Sequence, residues 1–180
     1  GKGVQKLQAA GVDVTLGILE QQAIDLNKRF FCFHNNKRPY VFLKWAATLD
    51  GFVAGKPGGR LAISNEFTNR FTHHLRATEA AIMVGTTTAL TDDPVLTPRY
   101  WPGRPPLRIV ADRQLKLPAE LRMFTDGLPT LLLNEIKEEA KGALTLVKIP
   151  AGESMLTWLM NYLYESNISS LIVEGGPGLQ

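Results

Sequence analysis

Cysteine is nearly missing from this chain: Cys32 is the single one among 180 residues. One thiol closes no disulfide within the chain, which excludes a disulfide-stapled scaffold and fits a reducing compartment. Cys32 stands among Phe30, Phe31 and Phe33 and reads as a small buried apolar residue rather than a nucleophile. No apolar run approaches the roughly 20 residues that a membrane-spanning helix needs. The stretch after Gly1 has neither a starting Met nor a signal-type hydrophobic segment, so both ends read as cut. Histidine is also scarce, at three residues. His73 and His74 are neighbours, so on a helix they diverge and cannot chelate as an i, i+4 pair does. Both read as surface residues, and no metal site stands out. With 8% aromatic residues, no aromatic-basic ladder and no zinc-finger spacing, nothing points to a nucleic-acid partner.

What is present is an ordinary globular balance, 44% hydrophobic and 21% charged, enough to build a packed core. The formal net charge of +3 favours small anionic ligands.

The hydrophobic pattern changes along the chain. Val12-Asp13-Val14 alternates like a short strand. Ile18 to Phe33 reads as one helix, with Leu19, Ala23, Leu26 and Phe30 on a common face. A polar break from Asn35 to Pro39 follows. Beyond it, strands alternate with helices. Strands are expected at Tyr40 to Ala47, Ala80 to Val84, Leu107 to Val110, Thr130 to Leu133, Leu144 to Ile149 and Ser170 to Val173. A helix capped by Ser64-Asn65 carries Phe67, Phe71 and Leu75 inward, and Ser154 to Tyr164 carries Leu156, Leu159 and Leu163 inward. Several strands are wholly apolar, which predicts an α/β fold with a mostly parallel sheet covered on both faces.

Ligands in such folds collect at the carboxyl ends of strands, and three of those ends carry chemistry. Lys44 is a charge inside an apolar strand, costly unless it is paired, snorkels to solvent or is used. Gly85-Thr86-Thr87-Thr88 opens a short helix whose free amides suit an anion, and Asp92-Asp93-Pro94 closes it; a plain N-cap and a plain turn are the alternatives. Glu174 ends the last strand beside Gly175-Gly176-Pro177-Gly178, a turn able to cradle a phosphate. Neither the dinucleotide fingerprint nor the P-loop pattern is matched. On its helix, Arg76 projects away from the stripe of Phe67, Phe71 and Leu75, and periodicity alone leaves it exposed.

The segments RPYVFLKWAATLDG, LRATEAAIMVGTTTALTDDPVLTPR, RIVADR and LIVEGG, in that order, resemble the reductase half of the bifunctional riboflavin-biosynthesis deaminase-reductases of the RibD type. GVDVTLGILEQQAIDLNKRFFCFHNNKRP resembles the junction at the end of their deaminase half. The resemblance implies two parts. Residues 1–36 would be the tail of a cytidine-deaminase-like domain, a short β-α remnant with its linker. Residues 37–180 would be a reductase domain of dihydrofolate-reductase-like fold, incomplete at its C-terminus. The deaminase's zinc motif, His-x-Glu with a later Cys pair, is not in these residues, so zinc is expected only in the deaminase portion outside them.

The implied reaction is the NADPH-dependent reduction of the ribosyl side chain of 5-amino-6-(5-phosphoribosylamino)uracil to the ribityl product. The implied setting is a cytoplasmic enzyme, homo-oligomeric when full length, with a small-molecule substrate and neither nucleic acid nor membrane as partner. Carried over residue by residue, the implied catalytic groups are Lys44, Asp92 and Glu174. The implied cofactor contacts are Ala46, Ala62, Gly85, Thr86, Thr88, Asp92, Arg113, Gly176, Pro177 and Gly178. The implied substrate contacts are Arg60, Arg76, Leu96, Arg99 and Glu174, with the arginines suited to a phosphate. The sequence departs from the family in two places. Arg60 and Ala62 stand where many relatives carry Ser-x-Trp, and Arg113 stands where many carry Ser. Arg113 is expected either to approach the 2′-phosphate of NADPH or to be a solvated turn residue. The rival readings are a pteridine- or folate-type reductase of the same fold, and a non-catalytic binding or assembly fragment.

Overall fold

Short apolar segments organise the chain into one sheet. In a computed structural model, which describes residues 2–49, 51 and 63–175, the strands are β1 (Tyr40–Lys44), β2 (Ala81–Gly85), β3 (Leu107–Ala111), β4 (Thr130–Asn134), β5 (Glu139–Lys141), β6 (Leu144–Lys148) and β7 (Ser170–Glu174). Their order across the sheet is β1-β7-β2-β3-β4-β6-β5. Neighbours run parallel, except that β5 returns antiparallel on β6 through a turn in which Gly142 takes φ +62°.

Continuous apolar strands need cover on both faces. On one face α7 (Met155–Glu165) lays Leu159 and Leu163 against Met83, Ile109, Leu131 and Leu171. On the other, α4 (Glu66–Thr78), α5 (Thr86–Asp92) and α6 (Arg122–Thr125) bring Leu75, Ala89 and Met123 against Ile82, Val84, Val110 and Ile172. Each such leucine, isoleucine, valine or methionine side chain, fully buried, contributes roughly 1.5–3 kcal/mol. The mostly parallel α/β architecture expected from the strand pattern is the one observed.

The N-terminal segment differs from the expectation. It holds three helices, α1 (Lys2–Ala9), α2 (Glu20–Leu26) and α3 (Lys28–Asn36), and no strand at Val12 to Val14, where no neighbouring strand offers a ladder. The single helix expected from Ile18 to Phe33 breaks at Asn27, whose side-chain amide donates to the Ala23 carbonyl at 2.9 Å. Leu19, Leu26 and Phe30 are exposed, and Phe33 instead is buried, 4.9 Å from the Tyr164 ring. Arg29 of α3 pairs with the buried carboxylate of Glu79 just past α4, its Nε donating at 3.0 Å.

Asn65 caps α4 as expected, accepting from the Thr68 amide at 2.8 Å and the Thr68 hydroxyl at 2.7 Å. The stripe of Phe67, Phe71 and Leu75 does not turn inward together: Phe67 is 81% exposed and Leu75 only 7%. An i, i+4 row drifts by about 40° per step, so two steps carry the first ring off the buried face. Thr72 and His73 are buried in its place. Leu156 of α7 is likewise exposed, and the strand begun at Tyr40 stops at Lys44 rather than Ala47.

Candidate active site at the strand ends

Parallel pairing in register puts Lys44, the last residue of β1, beside Glu174, the last residue of β7. Side chains alternate along a strand, so Glu174 shares a face with Ile172 and Lys44 with Phe42; both of those pack in the cluster under α4. Both polar groups therefore project toward the α4 side at the carboxyl end of the sheet. There Arg76 meets Glu174 through two parallel bonds, Nε to Oε1 at 2.8 Å and Nη2 to Oε2 at 2.7 Å. Their side chains are only 13% and 10% exposed. The exposure that periodicity assigns to Arg76 is thus overturned: a carboxylate this buried requires a cation, and Arg76 is within its reach. Lys44 is half-buried and makes no ion pair among the described residues.

The segment after α5 wraps over α4. Asp93 turns through φ +38° and is held by Arg122, whose backbone amide and Nε donate to its carboxylate at 2.9 Å each. Leu96, φ +59° and 2% exposed, is a core residue that turns the chain. Tyr100 then packs edge-on to His73 at 4.7 Å, and Trp101 lies 4.5 Å from His74. Gly103, at φ +153°, lies so close to Ala77 that an added Cβ would come within 2.7 Å of the alanine methyl. This wrap brings Arg99 near His73. Burial, followed by the charges of Arg76 and Arg99, pushes the His73 imidazole below its ordinary pKa. His73 is 5% exposed and His74 half-buried, so the surface expectation for the pair fails. A concavity of about 590 Å³ lined by Glu66, Asn69, Arg70 and Tyr100 adjoins this cluster.

The ends of β2, β3 and β4 form a second group. Gly85 is buried and leads into α5. The Thr86 hydroxyl donates to the Ala111 carbonyl at 2.7 Å, stitching β2 to β3, and Asp112, 1% exposed, accepts from the Leu117 amide at 2.8 Å. Arg113 is exposed and paired with Glu135, Nε to Oε1 at 2.6 Å. Of the remaining expected site residues, Ala46 and Thr88 are half-buried, Arg99 is exposed, and Asp92 is exposed at the end of α5. No bond joins Asp92 to Lys44 or Glu174 among the described residues. Arg60, Ala62, Gly176, Pro177 and Gly178 lie outside the described residues.

Sequence reasoning placed His73 at the surface and passed over Arg108 and Glu135. His73 lies three positions before Arg76 and so on the same side of α4, a spacing that marked it. Arg108 is a charge within the apolar strand β3, the very signal that singled out Lys44; it is wholly buried and paired with Asp126 at 2.6 Å. Glu135 carried no local signal, since its partner stands 22 residues earlier.

The RibD C-terminal domain profile matches residues 39–180. The riboflavin biosynthesis protein RibD of Aquifex aeolicus is 38% identical over 183 residues, covering 98% of this chain and 51% of that protein. RibD of Escherichia coli is 33% identical over 196 residues, covering 99% and 53%. A crystal structure of a diaminohydroxyphosphoribosylaminopyrimidine deaminase/5-amino-6-(5-phosphoribosylamino)uracil reductase from Thermotoga maritima aligns with a TM-score of 0.86 at 32% identity, over 98% of this chain and 50% of that one. The Saccharomyces cerevisiae riboflavin biosynthesis reductase Rib7, at 24% identity and a TM-score of 0.61, shares the fold. The chain spans about half the length of the curated relatives it matches.

Proposed function

The chain belongs to the RibD C-terminal domain family, and from that premise we propose that it is the reductase portion of a riboflavin-biosynthesis enzyme. It reduces the ribosyl side chain of 5-amino-6-(5-phosphoribosylamino)uracil with NADPH. The observation that carries this reading is Lys44, without an ion pair among the described residues, in register beside a Glu174 carboxylate clamped by Arg76 at a strand end.

The donor set fits an anionic cofactor and a phosphorylated substrate. The Lys44 ammonium, the Thr88 hydroxyl and the Arg99 guanidinium have no hydrogen-bonded side-chain partner among the described residues. Ala46, Gly85, Thr88 and Arg113 would hold the cofactor, which when bound supplies the hydride that adds at C1 of the opened sugar. As C1 gains that hydride, the C1–nitrogen double bond becomes single and the nitrogen takes a proton. Lys44 Nζ holds a proton at the sugar end, and Asp92 assists its transfer. Glu174, clamped by Arg76, accepts from N–H groups of the pyrimidine. Arg99 binds the 5-phosphate.

We assign residues 1–36 to the tail of the deaminase part; α3 is pinned to the reductase through Arg29–Glu79 and Phe33–Tyr164. A cytoplasmic homo-oligomer is the expected setting of the complete protein; no described helix is long and apolar enough to cross a membrane. The test is NADPH oxidation by the complete gene product with the phosphoribosylaminouracil, with dihydrofolate as the competing substrate. Lys44→Met should lower turnover by about 10²–10⁴-fold. Turnover of dihydrofolate alone would move the protein to the folate-type reading.

A further inference from the structure

Two buried carboxylates and two arginines gather at the C-terminal end of α4. Glu79, the residue just past the helix, has a side chain with 0% exposure. Arg29 of α3 meets both of its oxygens, donating from Nε at 3.0 Å and also from Nη2. Three residues before Glu79, Arg76 meets both oxygens of Glu174 at 2.8 and 2.7 Å. Each carboxylate thus holds a two-bonded fork, and each fork comes from a different element. Arg76 and Glu79, the pair nearest in sequence, do not pair with each other. Glu79 still follows the path of α4, its amide donating to the Leu75 carbonyl at 2.9 Å. Helical residues three apart have Cβ atoms about 5–6 Å apart, a span an arginine and a glutamate close between them.

We infer that Arg29 is a positioning residue that selects partners: by neutralising Glu79 it leaves Arg76 to clamp Glu174 at the strand end. The inference rests on the reading of the site given above. A carboxylate this buried requires a cation, and with Arg29 in place the requirement is met from α3. The Tyr40 ring, 5.6 Å from the Arg29 guanidinium, steadies it there. Without Arg29, two buried carboxylates compete for the one guanidinium of Arg76, and Glu174 is held only part of the time. Removing Glu79 has a different result. Arg29, 38% exposed, turns to water, and no competitor for Arg76 remains. One bridge, broken from its two ends, therefore has two distinct consequences for the site. A residue of the N-terminal helices in this way governs the geometry of a carboxylate at the far end of the sheet.

The test compares Arg29→Met with Glu79→Gln in the complete gene product, since both break the same bridge. Arg29→Met should raise KM for the phosphoribosylaminouracil about tenfold and leave KM for NADPH within about twofold. Glu79→Gln should leave both KM values within about twofold. The double variant Arg29→Met/Glu79→Gln should return the substrate KM to that of wild type. Equal rises in the two single variants would make the bridge a structural brace and overturn the inference. No rise in either, or a rise that the double variant keeps, overturns it too. Should Arg29→Met fail to fold, Arg29→Gln keeps a hydrogen bond to Glu79 without the charge and carries the same expectation and the same refutation. Stability measurements separate this inference from the reductase reading. Urea denaturation of Arg76→Met, Glu174→Gln and their double variant gives the coupling of that pair. The coupling should fall by about half in the Arg29→Met background and stay whole in the Glu79→Gln background. If wild type does not oxidise NADPH with this substrate, the reductase reading falls. The coupling then decides the role of Arg29 alone, and a value unchanged in both backgrounds overturns it.

Discussion

Arg76 on α4 and Glu174 at the tip of β7 are 98 residues apart in sequence and joined by two parallel hydrogen bonds in the fold. The pair closes the α4 side of the strand-end site. Both side chains are almost out of water, so each is tolerable only in the presence of the other.

Arg76→Lys keeps the charge and loses the fork, because an ammonium cannot meet both carboxylate oxygens in a plane. The substrate KM should rise about tenfold with a smaller change in melting temperature. Glu174→Gln leaves a buried cation unpaired and should cost about 3 kcal/mol by chemical denaturation. The double variant Arg76→Met/Glu174→Gln should recover part of that stability without recovering turnover. Additive stability losses would show that the two residues do not act as a pair.

Arg113 is engaged by Glu135 at the ends of β3 and β4, so a 2′-phosphate arriving there competes with a carboxylate. If Arg113 reads that phosphate, Glu135→Gln should raise the NADPH-over-NADH ratio of kcat/KM about tenfold, and Arg113→Ala should lower it. Unchanged ratios in both variants would make the pair a surface contact only.

Arg108 is wholly buried, bonded to Asp126 and to the carbonyls of Val95, Met123 and Leu128. Arg108→Met removes all five of these bonds, leaves the Val95 carbonyl and Asp126 Oδ2 without a donor, and should cost about 3 kcal/mol. For a chain of this size, that lowers the melting temperature by roughly 6–12 °C. A drop below about 2 °C would show that the methionine side chain compensates.

Asp126 reports the same contact through pH. The hydrogen bond from Arg108 holds its carboxyl below the ordinary value of 3.8. A folded-state pKa below the unfolded one means the pair stabilises the fold above the unfolded value and is lost as pH falls through the folded one. The stability difference between wild type and Asp126→Asn should be constant from about pH 7 to 5 and shrink below about 4. A difference that grows toward low pH would contradict the assignment.

Much of the architecture was written locally. Runs such as Ala81–Gly85 and the 171–173 centre of β7 are apolar throughout, and a short apolar run between turns has little choice but a covered parallel strand. The Asn65 cap and the helix opening at Thr86 follow from a few adjacent residues for the same reason. Lys44 and Glu174 were visible as charges at apolar strand ends. Their adjacency was not, because register is settled by the pairing of β1 with β7 across the chain. The helix faces were also beyond local pattern. Phe67 and Phe71 point outward while His73 and Arg76 turn in, because a helix is rotated by what its neighbours offer. Here they offered a buried carboxylate from β7 and the Thr97–Tyr100 turn. Apolar periodicity measures how much a side chain dislikes water; it carries no record of a distant group waiting to satisfy a polar one.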